Sequence, residues 1–381
     1  MEYGGIYIHV PFCIRKCPYC NFYSVTELSY INPFFKSVIK EIKSRKEKSF
    51  IADSIYFGGG TPTLLQPEIT AELISALRDN FTIIHSAEIT AEANPGTINK
   101  DNLHKLNKAG INRLNIGVQS FNDSVLKILN RIHTAKEAET AYYYAREADF
   151  LNIGIDLIYA VSGQSLKDMT KDFKKAVKLA PEHISGYILT LEPKTVMYSE
   201  VMNKVLKKTD EDLASKMFLS AVRFLKNSGY RQYEISNFAK ADCFRSVHNL
   251  KYWSCSAYKG FGPSAHSFDK NKRYWNVSDI KEYIQRIDKE KSVIKQSEIL
   301  TKEQKIIEFI YLGLRHFGID IKDFNFKFKA DFIADYSRAL FKLTGERLIK
   351  IDSDRCRLTE KGMLFADYAA RILISDLPFK D

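Results

Sequence analysis

The run PFCIRKCPYCNFYS at 11–24 places Cys13, Cys17 and Cys20 at C-x3-C-x2-C spacing, half of the 6 cysteines in the chain. Thiolates this close together are metal ligands, and two groups suit them. Zinc in a structural site is closed by four ligands, and the only histidine nearby is His9, on the preceding strand. A cubane [4Fe–4S] cluster is held by thiolates on its iron corners, and three cysteines leave one iron open to an outside ligand. The other cysteines, Cys243, Cys255 and Cys356, are scattered and fit no disulfide framework, so they are expected to be ordinary core or loop thiols.

The elements that must position these thiols are short β-branched and aromatic runs, each followed by a helical pattern. Strands are expected at Ile6–Val10, Ser54–Phe57, Glu88–Ala93, Arg113–Val118, Asn152–Tyr159, His183–Leu191 and Tyr233–Ser236. Amphipathic stretches lie near 33–48, 67–80, 99–109, 122–148, 165–180 and 209–228. Alternating strands and helices predict parallel βαβ units. Several strands read as nearly continuous in apolar residues, as in a parallel sheet covered by helices. The reactive residues fall where strands end: Gly58–Gly60, Glu92 and Asn94, Gln119, and Asp156. Both βα barrels and open doubly wound sheets gather their chemistry there. After residue 295 the pattern becomes a long amphipathic helix, then helix, short hairpin and helix, with LIKID and RCRLT as the two halves of the hairpin. That is the pattern of a small winged-helix-like domain, whose recognition-helix region has no dense basic face. The expected organisation is a barrel domain over 1–240, a connecting segment over 241–295 and the small domain over 296–381.

At 381 residues, 45% hydrophobic and 27% charged, the chain reads as a globular protein able to bury a sizeable core. Its net charge of +11 sits largely in Lys-rich runs with helical apolar spacing, which predicts solvated helix faces and no nucleic-acid partner. No run reaches the roughly 18 apolar residues of a membrane span. The start MEYGGIYIHV lacks the basic and apolar regions of a signal peptide. The expected location is the cytoplasm, where thiols stay reduced.

The C-x3-C-x2-C loop, with YFGGGTPT at 56–63 following the second strand, resembles the radical S-adenosylmethionine (SAM) superfamily. Within it the chain is similar, over nearly its full length, to the oxygen-independent coproporphyrinogen III oxidase family. The matching segments are GIYIHVPFC, GGGTPT, EANPGT, LNIGVQSFND, LNRIH, DLIY and the C-terminal domain. The resemblance implies an α/β fold, a radical SAM partial (β/α) barrel with a small C-terminal winged-helix-like α+β domain. It implies a [4Fe–4S] cluster on Cys13, Cys17 and Cys20, whose free iron is chelated by SAM, and an electron donor that reduces it to release a 5′-deoxyadenosyl radical. Position by position, Tyr7, Gly59, Gly60, Thr61 and Glu92 match the family's primary SAM site. Tyr19, Gln119, Arg131 and Asp156 match positions lining a second SAM site in the oxidase.

The chain departs from the oxidase in two ways. Phe22 stands where the oxidase has a fourth cysteine, and the sequence starts only six residues before Tyr7. Both departures match a sister branch, the HemW-type haem chaperones, which bind haem and pass it to an acceptor protein. The segment HNLKYW matches that branch's HNxxYW motif. His248 is the expected haem ligand, with Asn249 supporting it and Tyr252 and Trp253 packing on the macrocycle. Ala160-Val161-Ser162 departs from that branch, whose members tend to have Gly-Leu-Pro there. The resemblance implies a haem-trafficking protein whose acceptor is a protein such as a membrane-associated respiratory cytochrome. The alternative is radical decarboxylation of coproporphyrinogen III to protoporphyrinogen IX.

Overall fold

The computed structural model describes residues 3–375. Six parallel strands run side by side in chain order: β1 (Gly4–Val10), β2 (Glu47–Gly59), β3 (Phe81–Ala93), β4 (Arg113–Gln119), β5 (Ile153–Tyr159) and β6 (His183–Ile188). The chain returns between them through α1 (Ile31–Ser44), α2 (Pro67–Asn80), α3 (Lys100–Lys108), α4 (Asp123–Ile128) with α5 (Ala135–Glu147), and α6 (Leu166–Leu179). After β6 come α7 (Val196–Met202) and α8 (Glu211–Asn227), then the short β7 (Arg231–Gln232) and β8 (Asn237–Ala239), with β8 antiparallel to β6. This is the expected partial barrel. The seventh expected strand, Tyr233–Ser236, is instead the turn between β7 and β8. Burial fixes that turn: the Tyr233 hydroxyl bonds His183, and the Glu234 carboxylate accepts from the Ser236 amide.

The strands are not continuously apolar; they alternate. In β4, Leu114, Ile116 and Val118 are each 0% exposed and face the helices, while Arg113, Asn115 and Gly117 face the interior cavity. Each outward apolar side chain buried in this way contributes about 1.5–3 kcal/mol. The inner face is polar because the barrel encloses a polar cavity.

The amphipathic stretch near 122–148 forms two helices. Asn130 adopts a left-handed conformation (φ 53°) between α4 and α5. Buried His133 then bridges Asn94 Oδ1 at 3.2 Å and the Val118 carbonyl at 3.1 Å. This break turns Arg131 towards the cavity. The 33–48 helix ends at Ser44, because the chain pairs as β2 from Glu47 onward.

Residues 241–295 extend the same sheet. α9 (Val247–Trp253) precedes β9 (Tyr258–Phe261), which pairs parallel with β1. β10 (His266–Phe268), β11 (Lys272–Asn276) and β12 (Ile294–Ile299) continue antiparallel, with α10 (Ile280–Asp288) between the last two. Glu41 on α1, 1% exposed, holds this extension. Its two carboxylate oxygens accept from Arg45, the Asn276 amide, the Gly262 backbone N–H and the Tyr283 hydroxyl.

The C-terminal unit has its own apolar core. It comprises α11 (Lys302–Arg315), β13 (Ile319–Asp320), α12 (Ile321–Phe328), α13 (Phe332–Asp335), α14 (Ser337–Gly345), β14 (Ile349–Ile351), β15 (Arg355–Leu358), α15 (Glu360–Leu364) and α16 (Ala366–Ser375). The expected hairpin is β14–β15, joined by β13 into a small antiparallel sheet. Among the described residues no helix is long and apolar enough to cross a membrane.

Candidate functional site

β1 ends where Pro11 removes a backbone donor. The chain then makes a loop clasped at its base: the Cys13 amide donates to the Val25 carbonyl at 2.9 Å, and the Val25 amide to the Pro11 carbonyl at 2.7 Å. Phe12, 0% exposed and edge-on to Phe34, pins the entry. Cys13, Cys17 and Cys20 lie on this loop as half-buried free thiols. Burial pushes the Cys13 and Cys20 thiols up, opposed by hydrogen bonds from Thr61 and the Phe22 backbone. Among the described residues the thiols do not converge with other ligands around a single ion. A cubane takes its thiolates on separate irons.

The thiols open onto a cavity of about 460 Å³ inside the barrel, at the C-terminal ends of the strands. Tyr19, Gly59, Gly60, Thr61, Glu92, Gln119, Arg131, Asp156 and Asn249 line it with them. Gly60 packs where an added Cβ would lie 2.6 Å from the Phe12 carbonyl oxygen, and Gly59 has φ 108°. Only glycine fits this join between β2 and the cysteine loop. The Gly60 amide donates to Val10 and the Thr61 amide to Phe12.

Glu92 accepts from the Tyr56 hydroxyl at 2.8 Å and from the Gly59 amide at 3.2 Å. Arg131 donates to the Gly117 carbonyl at 2.9 Å and reaches the Cys17 sulfur at 3.5 Å. One oxygen of Asp156 takes the Asn115 amide at 2.5 Å. The other is buried and unpartnered, as are Asn115 Oδ1 and Arg131 Nε. Unpaired buried polar atoms are costly, so a polar ligand in this cavity has donors and acceptors waiting for it. Gln119 ends β4 at φ 66°, a left-handed strain of about 1–3 kcal/mol of the kind stored at ligand sites.

Burial pushes the Glu92 carboxyl up from 4.5 to about 7, opposed chiefly by the Tyr56 hydrogen bond. The folded chain therefore binds this proton more tightly than the unfolded chain. Its contribution to stability is full below about pH 4.5 and is lost as pH rises through about 7. Glu92→Gln is expected to flatten the fall in unfolding free energy between pH 5 and pH 8 by about 2–3 kcal/mol, read in urea titrations of the cluster-free protein. An unchanged slope would place the charge elsewhere.

Sequence reasoning missed the inward residues Tyr56, Arg113, Asn115, His183, Ser185 and Tyr187, all lining the same cavity. Their signal was the period-two alternation within the strands.

The structure separates the remaining expected residues from this cavity's wall. Tyr7 hydrogen-bonds His9 at 3.0 Å and joins Tyr56 and His248 in a cluster of three near-parallel rings. His248, 1% exposed, sits in a socket beside the early residues of β1 and β2. Its Nδ1 pairs with the Ser54 hydroxyl at 3.1 Å and its Nε2 with the Tyr252 hydroxyl at 3.0 Å. Its backbone amide donates to Glu88, the partner of buried Arg113. Burial lowers the ring to about 3, so it is neutral. Both ring nitrogens are hydrogen-bonded in this socket, so the expected ligation of haem iron by His248 requires one of these bonds to be given up. α9 packs beside β1 and β2, with the Lys251 ammonium on Asp53 at 2.7 Å and Asn249 lining the cavity. Tyr252 and Trp253 face a smaller pocket of about 290 Å³ with Tyr187 and Arg315. His248→Ala is expected to cost about 2–4 kcal/mol in urea unfolding, through the cavity it leaves and its lost hydrogen bonds. A variant of wild-type stability with an altered haem spectrum would support the ligand role.

A parallel-stranded partial barrel with a three-cysteine loop over its polar interior defines a radical SAM protein. Residues 7–176 match the model of the Radical SAM superfamily, and residues 300–365 match the HemN C-terminal domain. The chain is 32% identical over 379 residues to the Heme chaperone HemW of Lactococcus lactis, covering 99% of both chains. It is 33% identical to the Heme chaperone HemW of Bacillus subtilis, covering 97% of this chain and 99% of that one. In fold it is similar to the coproporphyrinogen III oxidase HemN of Escherichia coli, with a TM-score of 0.84 and 23% identity over 99% of this chain and 91% of that one. The chain belongs to the HemW-type branch of the coproporphyrinogen III oxidase family, within the radical SAM superfamily.

Proposed function

We propose that this protein is a haem chaperone of the cytoplasm, holding a SAM-ligated [4Fe–4S] cluster and passing haem to an acceptor protein such as a membrane-associated cytochrome. One observation carries the reading: Cys13, Cys17 and Cys20 share a cavity with Gly59, Glu92, Gln119, Arg131 and Asp156, in a chain whose full-length relatives bear the name Heme chaperone HemW. The cluster, when bound, supplies an open iron site and one-electron chemistry. The protein's own part is positioning. Glu92, ionised, receives an ammonium or ribose hydroxyl. Asp156 offers its free oxygen to a donor, and Arg131 keeps a positive charge between the Cys17 sulfur and the cavity.

The test is anaerobic reconstitution followed by parallel measurement of haem binding and coproporphyrinogen III turnover. Haem binding and transfer without decarboxylation is the expected result. Multiple-turnover formation of protoporphyrinogen IX, or rescue of an oxidase-deficient strain, would make the chain the oxidase.

A further inference from the structure

We propose that the chain between β6 and α8 forms the seat of the haem macrocycle, an inference that rests on the chaperone reading above. α7 and its flanks enclose a groove of about 430 Å³ beside the cysteine loop. Its floor is Ile188, Leu189, Leu191, Met197, Val201 and Leu206. Around it Val196, Met202 and Val205 are 61%, 54% and 72% exposed. Clustered exposed apolar side chains mark a binding surface, where scattered ones do not.

The rim carries charge on one side. Lys207, Lys208 and Glu211 line the groove, with Lys208 and Glu211 paired at 2.8 Å. An apolar slot with ammonium groups at one edge fits a flat apolar ring bearing carboxylates at one edge, which is the chemistry of a tetrapyrrole with two propionates. Tyr198 and Met202, also lining the groove, carry the oxygen and sulfur types that ligate haem iron.

Two further observations set this groove apart from a packing defect. Ala160, which lines the groove, is left-handed at φ 59°, and Lys194 and Lys204, on the chain flanking α7, are left-handed at φ 74° and φ 59°. Such strain persists where the surroundings over-determine it, characteristically at ligand clamps. The groove is also tied to the cluster loop. The Met197 amide donates to the Pro18 carbonyl at 2.9 Å, and Met197, 1% exposed, packs in an apolar cluster against which Tyr19 lies. The pocket beside Tyr252 and Trp253 is smaller, about 290 Å³; it shares Tyr187 and Asn249 with the cysteine cavity, but its lining guanidinium, Arg315, is already paired with Asp367.

The experiment titrates haemin, and in parallel zinc protoporphyrin, into the reconstituted full chain and reads the Soret band. Lys207→Glu with Lys208→Glu lies on the exposed rim and leaves the fold intact by circular dichroism. It is expected to weaken haemin binding about tenfold or more, the loss of charge-assisted contacts to propionates. Val201→Asp, on the floor, is expected to weaken both porphyrins, while Trp253→Ala leaves both near wild type. Should Val201→Asp fail to fold, the rim variant decides alone. Wild-type affinity in the rim variant, or loss of binding in Trp253→Ala only, would overturn the assignment. A wild-type chain that binds no haemin defeats the chaperone reading itself, a result distinct from either.

Discussion

Cys17→Ala takes the reconstituted protein from about four irons per chain to none, with loss of the charge-transfer absorbance. Cys243→Ala keeps its iron. The contrast follows from placement. Cys13, Cys17 and Cys20 share one loop and one cavity, and a cubane held at three corners does not survive with two. Cys243 is exposed on a distant turn, and Cys356 is 0% exposed within the C-terminal core. Removal of Cys17 also strips Arg131 of its sulfur partner at 3.5 Å and leaves one more buried guanidinium N–H unpaired. Iron analysis and the visible spectrum read the result; stoichiometric iron in Cys17→Ala would end the assignment of this loop.

Glu41→Ala produces the largest loss of stability, about 3–5 kcal/mol, because it removes a buried acceptor on which four donors converge; Arg45 and Asn276 keep the Gly260 and Gly262 carbonyls, while the Gly262 amide and the Tyr283 hydroxyl lose the carboxylate. Four groups converge on this carboxylate, and they come from the residue that ends α1 (Arg45), from the turn after β9 (Gly262), from β11 (Asn276) and from α10 (Tyr283). The Tyr283 hydroxyl bond is 2.6 Å. Loss of the acceptor frees the whole β9–β12 extension from the helical layer. Urea unfolding measures it, and hydrogen exchange across β9–β12 is expected to quicken before that of β2–β5. A uniform change across both regions would mean that the carboxylate is not the tether.

The site residues that were legible in the sequence were those at strand ends or in a metal-ligand spacing. Cys13, Cys17, Cys20, Gly59, Glu92, Gln119 and Asp156 combine unusual chemistry with position, and the fold brings them to one cavity. Arg113, Asn115 and Ser185 escaped because each sits inside a strand among apolar neighbours, where polar residues one place apart read as noise until the sheet curves around them. Local pattern failed where tertiary contacts decide the backbone. Tyr233–Ser236 has strand-forming residues, yet the buried Tyr233 hydroxyl and Glu234 carboxylate bend it. His248 has the chemistry of an iron ligand, and only its neighbours Ser54 and Tyr252, far apart in sequence from each other, show that both nitrogens are spoken for. The hairpin of the small domain was legible because turn and strands are contiguous.

The clasp at the base of the cysteine loop bears on how long the molecule lasts. Cubane clusters are the first casualties of oxygen, and a loop shaped only by its cluster would collapse with it. Here the backbone bonds between Pro11, Cys13 and Val25 keep the ends together, so the entropy of closing the loop does not have to be met again when iron and sulfide return. The expected consequence is that loss of a bound cluster to oxygen does not by itself release the loop, so the polypeptide outlasts its cluster and can be refilled.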